Sequence, residues 1–191
     1  MASSLPWYTK AFASRPGVVA QESVGHHLLK QFFPLDPDGD LLKGGSIQQN
    51  NKYAPNRARK AAFWAANTVA AMDKVIDLPD SIMEWAAEAL INDGDGYWGG
   101  AHNFYIYDQG AKGYVWIPSD VDATFEWLSK HTINPFYWWI GRFMPGPPGQ
   151  HYAIVMADPT WRAAYVDAMA TKLARFDVAE IQGWIGDWSK Q

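Results

Sequence analysis

Residues 93–125 read DGDGYWGGAHNFYIYDQGAKGYVWIPSDVDATF, and the fold follows from how this stretch is divided. Residues 103–107 and 114–118 are rich in aromatic and β-branched side chains, while Asp-Gln-Gly-Ala-Lys-Gly between them supplies turn formers. The pattern predicts a β-hairpin. A hairpin brings its outer ends together, so Asn103 at the head of the first strand should lie near Asp120 and Asp122 after the second. The Asp93/Asp95 turn, a few residues upstream, can close over them. Asp120 and Asp122 are one residue apart, which in an extended segment points both side chains the same way. Four carboxylates and an amide converging in this manner need a cation or hydrogen-bond donors between them, and a divalent metal is the natural candidate. Each acid also has a structural use: Asp93 and Asp95 as turn residues, Asp122 as a helix cap.

Upstream, apolar positions Phe63, Ala70, Ala71 and Val75, with Asn67 on the same stripe, predict one long helix over 56–76. Leu78-Pro79-Asp80-Ser81 then stops and restarts the chain. Ser81 with Glu84 fits a capping box, and Ile82, Trp85, Ala86, Ala89 and Leu90 form the buried stripe of a second helix leading to Asp93. Negative charge at that helix's C-terminus opposes its dipole, so the acids there call for an explanation. Residues 18–22 suggest a short strand and 26–33 a helical turn ended by Pro34. Asp36, Asp38 and Asp40 alternate as in an EF-hand, but Gly39 falls between the second and third acids and no closing Glu follows, so the stretch reads as a polar turn. Residues 135–150 predict a short helix and an exposed proline-rich loop. Asp158 and Pro159 start a helix with Trp161, Tyr165, Met169, Leu173 and Phe176 on its buried side, and a last helix covers 179–187. The predicted class is α+β, helix-dominated, with one short antiparallel hairpin bearing the site.

Composition narrows the chemistry. The chain has 191 residues and no cysteine, which excludes thiol catalysis, cysteine-ligated zinc and iron–sulfur clusters. A formal charge of −4 offers no field for nucleic acid, and the Arg57, Arg59, Lys60 cluster reads as the solvated start of a helix. No window approaches the roughly 18 apolar residues of a membrane span, and the first residues lack the apolar run of a signal peptide. Eleven tryptophans point mainly to a ring-filled core, with a platform for sugars or peptides as the alternative. Gly94, Gly96 and Gly99 spell the dinucleotide fingerprint, but the strand and helix it requires come in the wrong order. His26 and His27 are adjacent and do not share a helix face.

The strings DGYWGGAHNFYIYDQ and YVWIPSDVDATF resemble the core of the spore-coat CotH family of atypical protein kinases. That family combines an Asp-bearing turn, an HN-aromatic strand and a strand ending in Pro-Trp-Asp-x-Asp; Ser119 stands where the family usually carries Trp. VIDLPDSIMEWAAEALIND resembles the helix before the turn, and VAQESVGHHLLKQFF with DGDLLKG resembles the end of the N-terminal lobe. The resemblance implies a protein-kinase-like C-terminal lobe over 18–191 after a 1–17 extension, lacking most of the N-terminal lobe. It implies phosphoryl transfer from ATP, with Mg²⁺ or Mn²⁺, to Ser or Thr of a coat or surface protein, in an extracellular, cell-surface or spore-coat setting. By the same resemblance Asp95 is the catalytic acid, Asn103, Asp120 and Asp122 are metal ligands, and Asn103, Asp120 and Glu22 serve the nucleotide, Glu22 by pairing with a phosphate-binding lysine. Two further readings stay open: a non-catalytic protein- or glycan-binding module on the same fold, and a metal-dependent hydrolase using the same acids.

Overall fold

A computed structural model describes residues 24–43, 46–49, 57–121, 124, 135–136 and 149–190 of the chain. The elements in chain order are α1 (His26–Phe32), β1 (Leu41–Lys43), β2 (Ser46–Gln49), α2 (Arg57–Ala65), α3 (Val69–Met72), α4 (Leu78–Leu90) and α5 (Tyr97–Gly100), followed by β3 (Phe104–Asp108), a 3₁₀ turn (Gly110–Lys112) and β4 (Tyr114–Pro118). Beyond these lie α6 (Gln150–Ala157), α7 (Pro159–Leu173) and α8 (Val178–Trp188). The class is α+β with helix predominant. The strands form one antiparallel sheet in the order β2-β1-β3-β4.

The hairpin forms as its sequence requires, with Phe104 opposite Pro118 and Asp108 opposite Tyr114. Its connection needs two glycines in the left-handed region: Gly110 at φ 65° and Gly113 at φ 100°. Because side chains alternate across a strand, Ile106, Tyr114 and Trp116 face one side and Tyr107, Val115 and Ile117 the other. Both faces are buried. The first packs with Phe63, Trp85, Tyr97 and Tyr152 from the helices, and the second packs with Leu29 of α1 and Leu41 of β1. The sheet is thus the middle of three layers, which is why its strands read as nearly continuous apolar runs.

Several boundaries differ from the sequence reading, each for a local reason. The predicted helix over 56–76 is two helices, because Thr68 leaves the helical region and accepts the Ala71 N–H at 3.2 Å as the N-cap of α3. Asn67 and Ala70 of the expected stripe are exposed. Helix α4 begins at Leu78, capped by Asp77 with Pro79 in its first turn, and not at Ser81. Ser81 is inside the helix, its Oγ donating to the Asp77 carbonyl at 2.6 Å. The polar turn around Asp36–Asp40 is present, but it runs into strand β1, which pairs with β3. The turn is pinned by Tyr107, whose hydroxyl donates to the Asp36 carbonyl and accepts the Gly39 N–H at 3.0 Å. A Cβ on Gly39 would stand 2.0 Å from the Asp108 carbonyl, so this approach to β3 demands glycine. Helix α7 starts as expected, Asp158 accepting the N–H groups of Thr160 and Trp161, yet only Tyr165 and Ala168 are fully buried and Leu173 and Phe176 are exposed. Residues 18–22 and most of 135–150 lie outside the described residues.

Arg59 is not a solvated cation. Its guanidinium grips Asp108 at the end of β3 through Nε and Nη2 at 2.9 and 2.8 Å, and Nη2 also reaches the Gly110 carbonyl. Asp108 holds the Arg59 charge firmly, raising its pKa. Among the described residues no helix is long and apolar enough to cross a membrane.

Candidate functional site

The two ends of the hairpin meet as the topology requires. Ser119 N–H donates to the Asn103 carbonyl at 2.9 Å, extending the ladder one step beyond Phe104 and Pro118. The Asn103 side chain then ties three segments together: its Nδ2 donates to Asp95 Oδ2 at 2.7 Å and to the Asp120 carbonyl at 3.3 Å. The turn after α4, the start of β3 and the residue past β4 are thereby fixed to one another.

The backbone is strained at the same place. Among the described residues, four that are not glycine have positive φ: Asn92 (52°), Ala101 (52°), Asn103 (40°) and Asp120 (56°). All four border this site. Asn and Asp tolerate the left-handed region better than other residues, but each such position still costs on the order of 1 kcal/mol, and strain concentrates where a function fixes the geometry. Asn103 is therefore a bend residue just before β3 and not its first strand residue. The expected parallel aim of Asp120 and Asp122 rested on an extended backbone. Asp120 is left-handed instead, and its side chain is exposed. Asp122 and Glu22 lie outside the described residues.

Beneath the rim is a second layer of acids, of which the sequence reading placed only Asp93 at the site. Glu88, 2% exposed, accepts the backbone N–H groups of Tyr97 at 3.2 Å and Trp98 at 2.7 Å, satisfying the first turn of α5. Glu84, one helical turn earlier, has both oxygens buried without an N–H or O–H donor, and its neighbour is the Glu88 carboxyl. Burial first, then the charge of Glu88, raises Glu84 well above the usual carboxylate range, so the pair holds a proton. Glu88 itself is raised by burial and lowered by its bonds to Glu84 and to the N–H groups of Trp98 and Tyr97. Asp93 is fully buried, and burial with the charges of Glu88 and Asp95 pushes it up to about 7. Glutamates at i and i+4 normally read as a solvated face. The signal in the sequence was Gly96-Tyr97-Trp98, a helix start with no capping side chain of its own.

The aromatic wall behind this layer is continuous. Trp85 stacks on Tyr97 at 5.8 Å and meets Trp116 edge-on at 5.1 Å, and Tyr97 contacts Phe104 at 4.8 Å. The Tyr97 hydroxyl lies 3.1 Å from Nδ1 of buried His151, whose Nε2 faces the Phe63 carbonyl at 3.0 Å. Burial lowers the His151 pKa, leaving a neutral ring that donates at Nε2 and accepts at Nδ1. These rings hold α5 and β3 rigidly beneath the rim.

Hard cations take oxygen ligands, and the Asn103 amide oxygen with the exposed Asp120 carboxylate are of that kind. Among the described residues no three His, Cys, Asp or Glu side chains gather around a point fit for a metal ion. A magnesium–nucleotide complex needs no such cage, because it is held by one or two protein oxygens together with its own phosphates. The donor set is compatible with it. Comparison with family models, curated proteins and solved structures found no match for this chain.

Proposed function

We propose that the chain transfers the γ-phosphoryl group of ATP to a Ser or Thr hydroxyl of a coat or surface protein, at the rim where Asp95, Asn103 and Asp120 meet. The observation that carries the reading is the bridging amide of Asn103, bonded at once to the Asp95 carboxylate and the Asp120 backbone. It supports the reading because phosphoryl transfer needs an acceptor-orienting carboxylate held at fixed distance from the residues that bind the nucleotide's metal. The resemblance to the CotH kinases assigns the same residues to these tasks.

Asp95 accepts the proton of the acceptor hydroxyl as its oxygen forms a bond to the γ-phosphorus. The bond from that phosphorus to the β,γ-bridging oxygen breaks, and ADP leaves with the electron pair. Asn103 fixes the direction of the Asp95 carboxylate through Oδ2. Asn103 and Asp120, with Asp122 beyond the described residues, would hold Mg²⁺ or Mn²⁺, which would neutralise charge on the phosphates. Glu22, also beyond them, keeps the lysine-pairing role the resemblance gives it. The reading is tested by melting the protein with and without millimolar Mn²⁺–ATP. A rise in Tm that Asp120→Ala abolishes supports it. No rise in the wild-type protein overturns it and favours the non-catalytic binding module.

A further inference from the structure

The proposed reaction uses Asp95 and leaves Asp93 unexplained. Asp93 is fully buried, and neither of its oxygens is met by a donor in hydrogen-bonding geometry, the nearby Gly96 N–H included. Asp95 Oδ1 is buried in the same condition, while its Oδ2 takes the Asn103 amide at 2.7 Å. A Cβ on Gly96 would lie 2.8 Å from Glu88 Oε1 and 2.9 Å from Asp93 Oδ2, so both carboxyl groups press on the same backbone carbon. Glu88 has nothing to donate, since its oxygens already receive the Tyr97 and Trp98 N–H groups. Buried carboxyl oxygens without donors are relieved by a cation or by a proton; no three His, Cys, Asp or Glu side chains gather around a metal point among the described residues, and a proton on one oxygen makes it the donor for the next.

We infer that Asp93 is a positioning residue for Asp95, donating its carboxyl O–H to Asp95 Oδ1 while Asn103 holds Oδ2 from the other side. The pair stands on the burial of these oxygens and on the hydrogen-bonding approach of the Asp93 carboxyl to Asp95, and only the chemistry it serves rests on the phosphotransfer reading. With both oxygens held, the Asp95 carboxylate has a fixed plane. Burial and the neighbouring negative charges raise Asp93 to about 7, so the proton is held below neutral pH and is given up as pH rises through it. The groups facing it are Glu88 on α4 and Asp95 on its own turn, with Glu84 behind Glu88. Lys172 of α7 lowers Glu84. Above the Asp93 titration the shared proton is gone, and Asp93 no longer holds Asp95 Oδ1 in its place.

The test follows two NMR signals through a pH titration of the full chain: the Asp93 side-chain carboxyl carbon and the Asn103 side-chain amide, which reports where Asp95 Oδ2 sits. The expected result is an Asp93 inflection near neutral pH, matched at the same pH by the Asn103 amide, with the latter abolished in Asp93→Asn, whose own amide donates at every pH. An Asp93 carbon that titrates in the ordinary carboxylate range overturns the inference without needing any variant to fold. So does an Asn103 amide that is insensitive to Asp93. Matched inflections in a protein that transfers no phosphate support the pair and refute only the reaction. Where transfer is observed, wild-type kcat/KM should fall about tenfold per pH unit above the Asp93 inflection, and Asp93→Asn should lose that limb.

Discussion

Replacing Glu88 with alanine removes the acceptor for the first turn of α5 and so tests how the site is supported. The structure gives two bonds to lose, from Tyr97 N–H at 3.2 Å and Trp98 N–H at 2.7 Å, both to a buried carboxyl group. Hydrogen bonds to charged groups contribute about 1.5–3 kcal/mol each, so the gross loss is roughly 3–6 kcal/mol. Part of this returns, because the variant no longer buries a carboxyl group beside Glu84 and Asp93. The expected net loss is about 2–4 kcal/mol, and Glu88→Gln, which keeps one acceptor oxygen for Trp98 N–H, should lose about half as much. Denaturant unfolding at neutral pH measures the total, and amide hydrogen exchange locates it. The Tyr97 and Trp98 amides should lose protection in Glu88→Ala before the strands do. A variant within about 0.5 kcal/mol of wild type, with those two amides unchanged, would refute the assignment of Glu88 as the cap of α5.

Three more outcomes follow from the same contacts. Arg59→Ala strands the nearly buried Asp108 carboxylate and should cost about 2–3 kcal/mol in denaturant unfolding, with Arg59→Lys recovering little because the paired bonds at 2.8 and 2.9 Å need a planar fork. Trp85→Ala empties the space between Tyr97, Trp116 and Tyr152 and should cost about 3–5 kcal/mol by the same measurement. Asp93, raised from 3.8 to about 7, binds more protons folded than unfolded, so its contribution is intact below the ordinary carboxylate range and is lost as pH rises through about 7. The difference in unfolding free energy between Asp93→Asn and wild type should therefore be small at about pH 3, grow in favour of the variant as pH rises from about 4 to about 7, and level off above that at a limit of about 4 kcal/mol; a difference that does not change with pH contradicts it.

The sequence made the hairpin legible because aromatic alternation and a glycine-rich connection are both local signals. Strand β4 falls on residues 114–118 as expected, whereas β3 is displaced by one residue, since Asn103 at φ 40° leaves the extended region and is a bend that adds one carbonyl bond to the end of the ladder. Strand β1 stayed hidden because its pairing comes from β3, far along the chain, and three residues carry too little pattern to announce it. Arg59 was misread for the same kind of reason: its partner Asp108 is 49 positions away, and a basic cluster at a helix start looks solvated in isolation. Asn103 and Asp95 were found through residue type and place, and their contact is present. The deeper acids Glu84 and Glu88 were not, because a glutamate's burial depends on which backbone N–H groups fold against it. Tryptophan as core filler holds for Trp85, Trp98 and Trp116, while Trp64 and Trp184 are exposed.

The most direct measurement is transfer of labelled γ-phosphate from ATP to protein hydroxyls in the presence of Mn²⁺, comparing wild type with Asp95→Asn. Labelled phosphoserine or phosphothreonine in the wild-type reaction, reduced about 10²–10⁴-fold in the variant whose carboxylate can no longer take the hydroxyl proton, is the predicted result. Label incorporated equally by both proteins, or by neither while Mn²⁺–ATP leaves the Tm unmoved, would contradict the account.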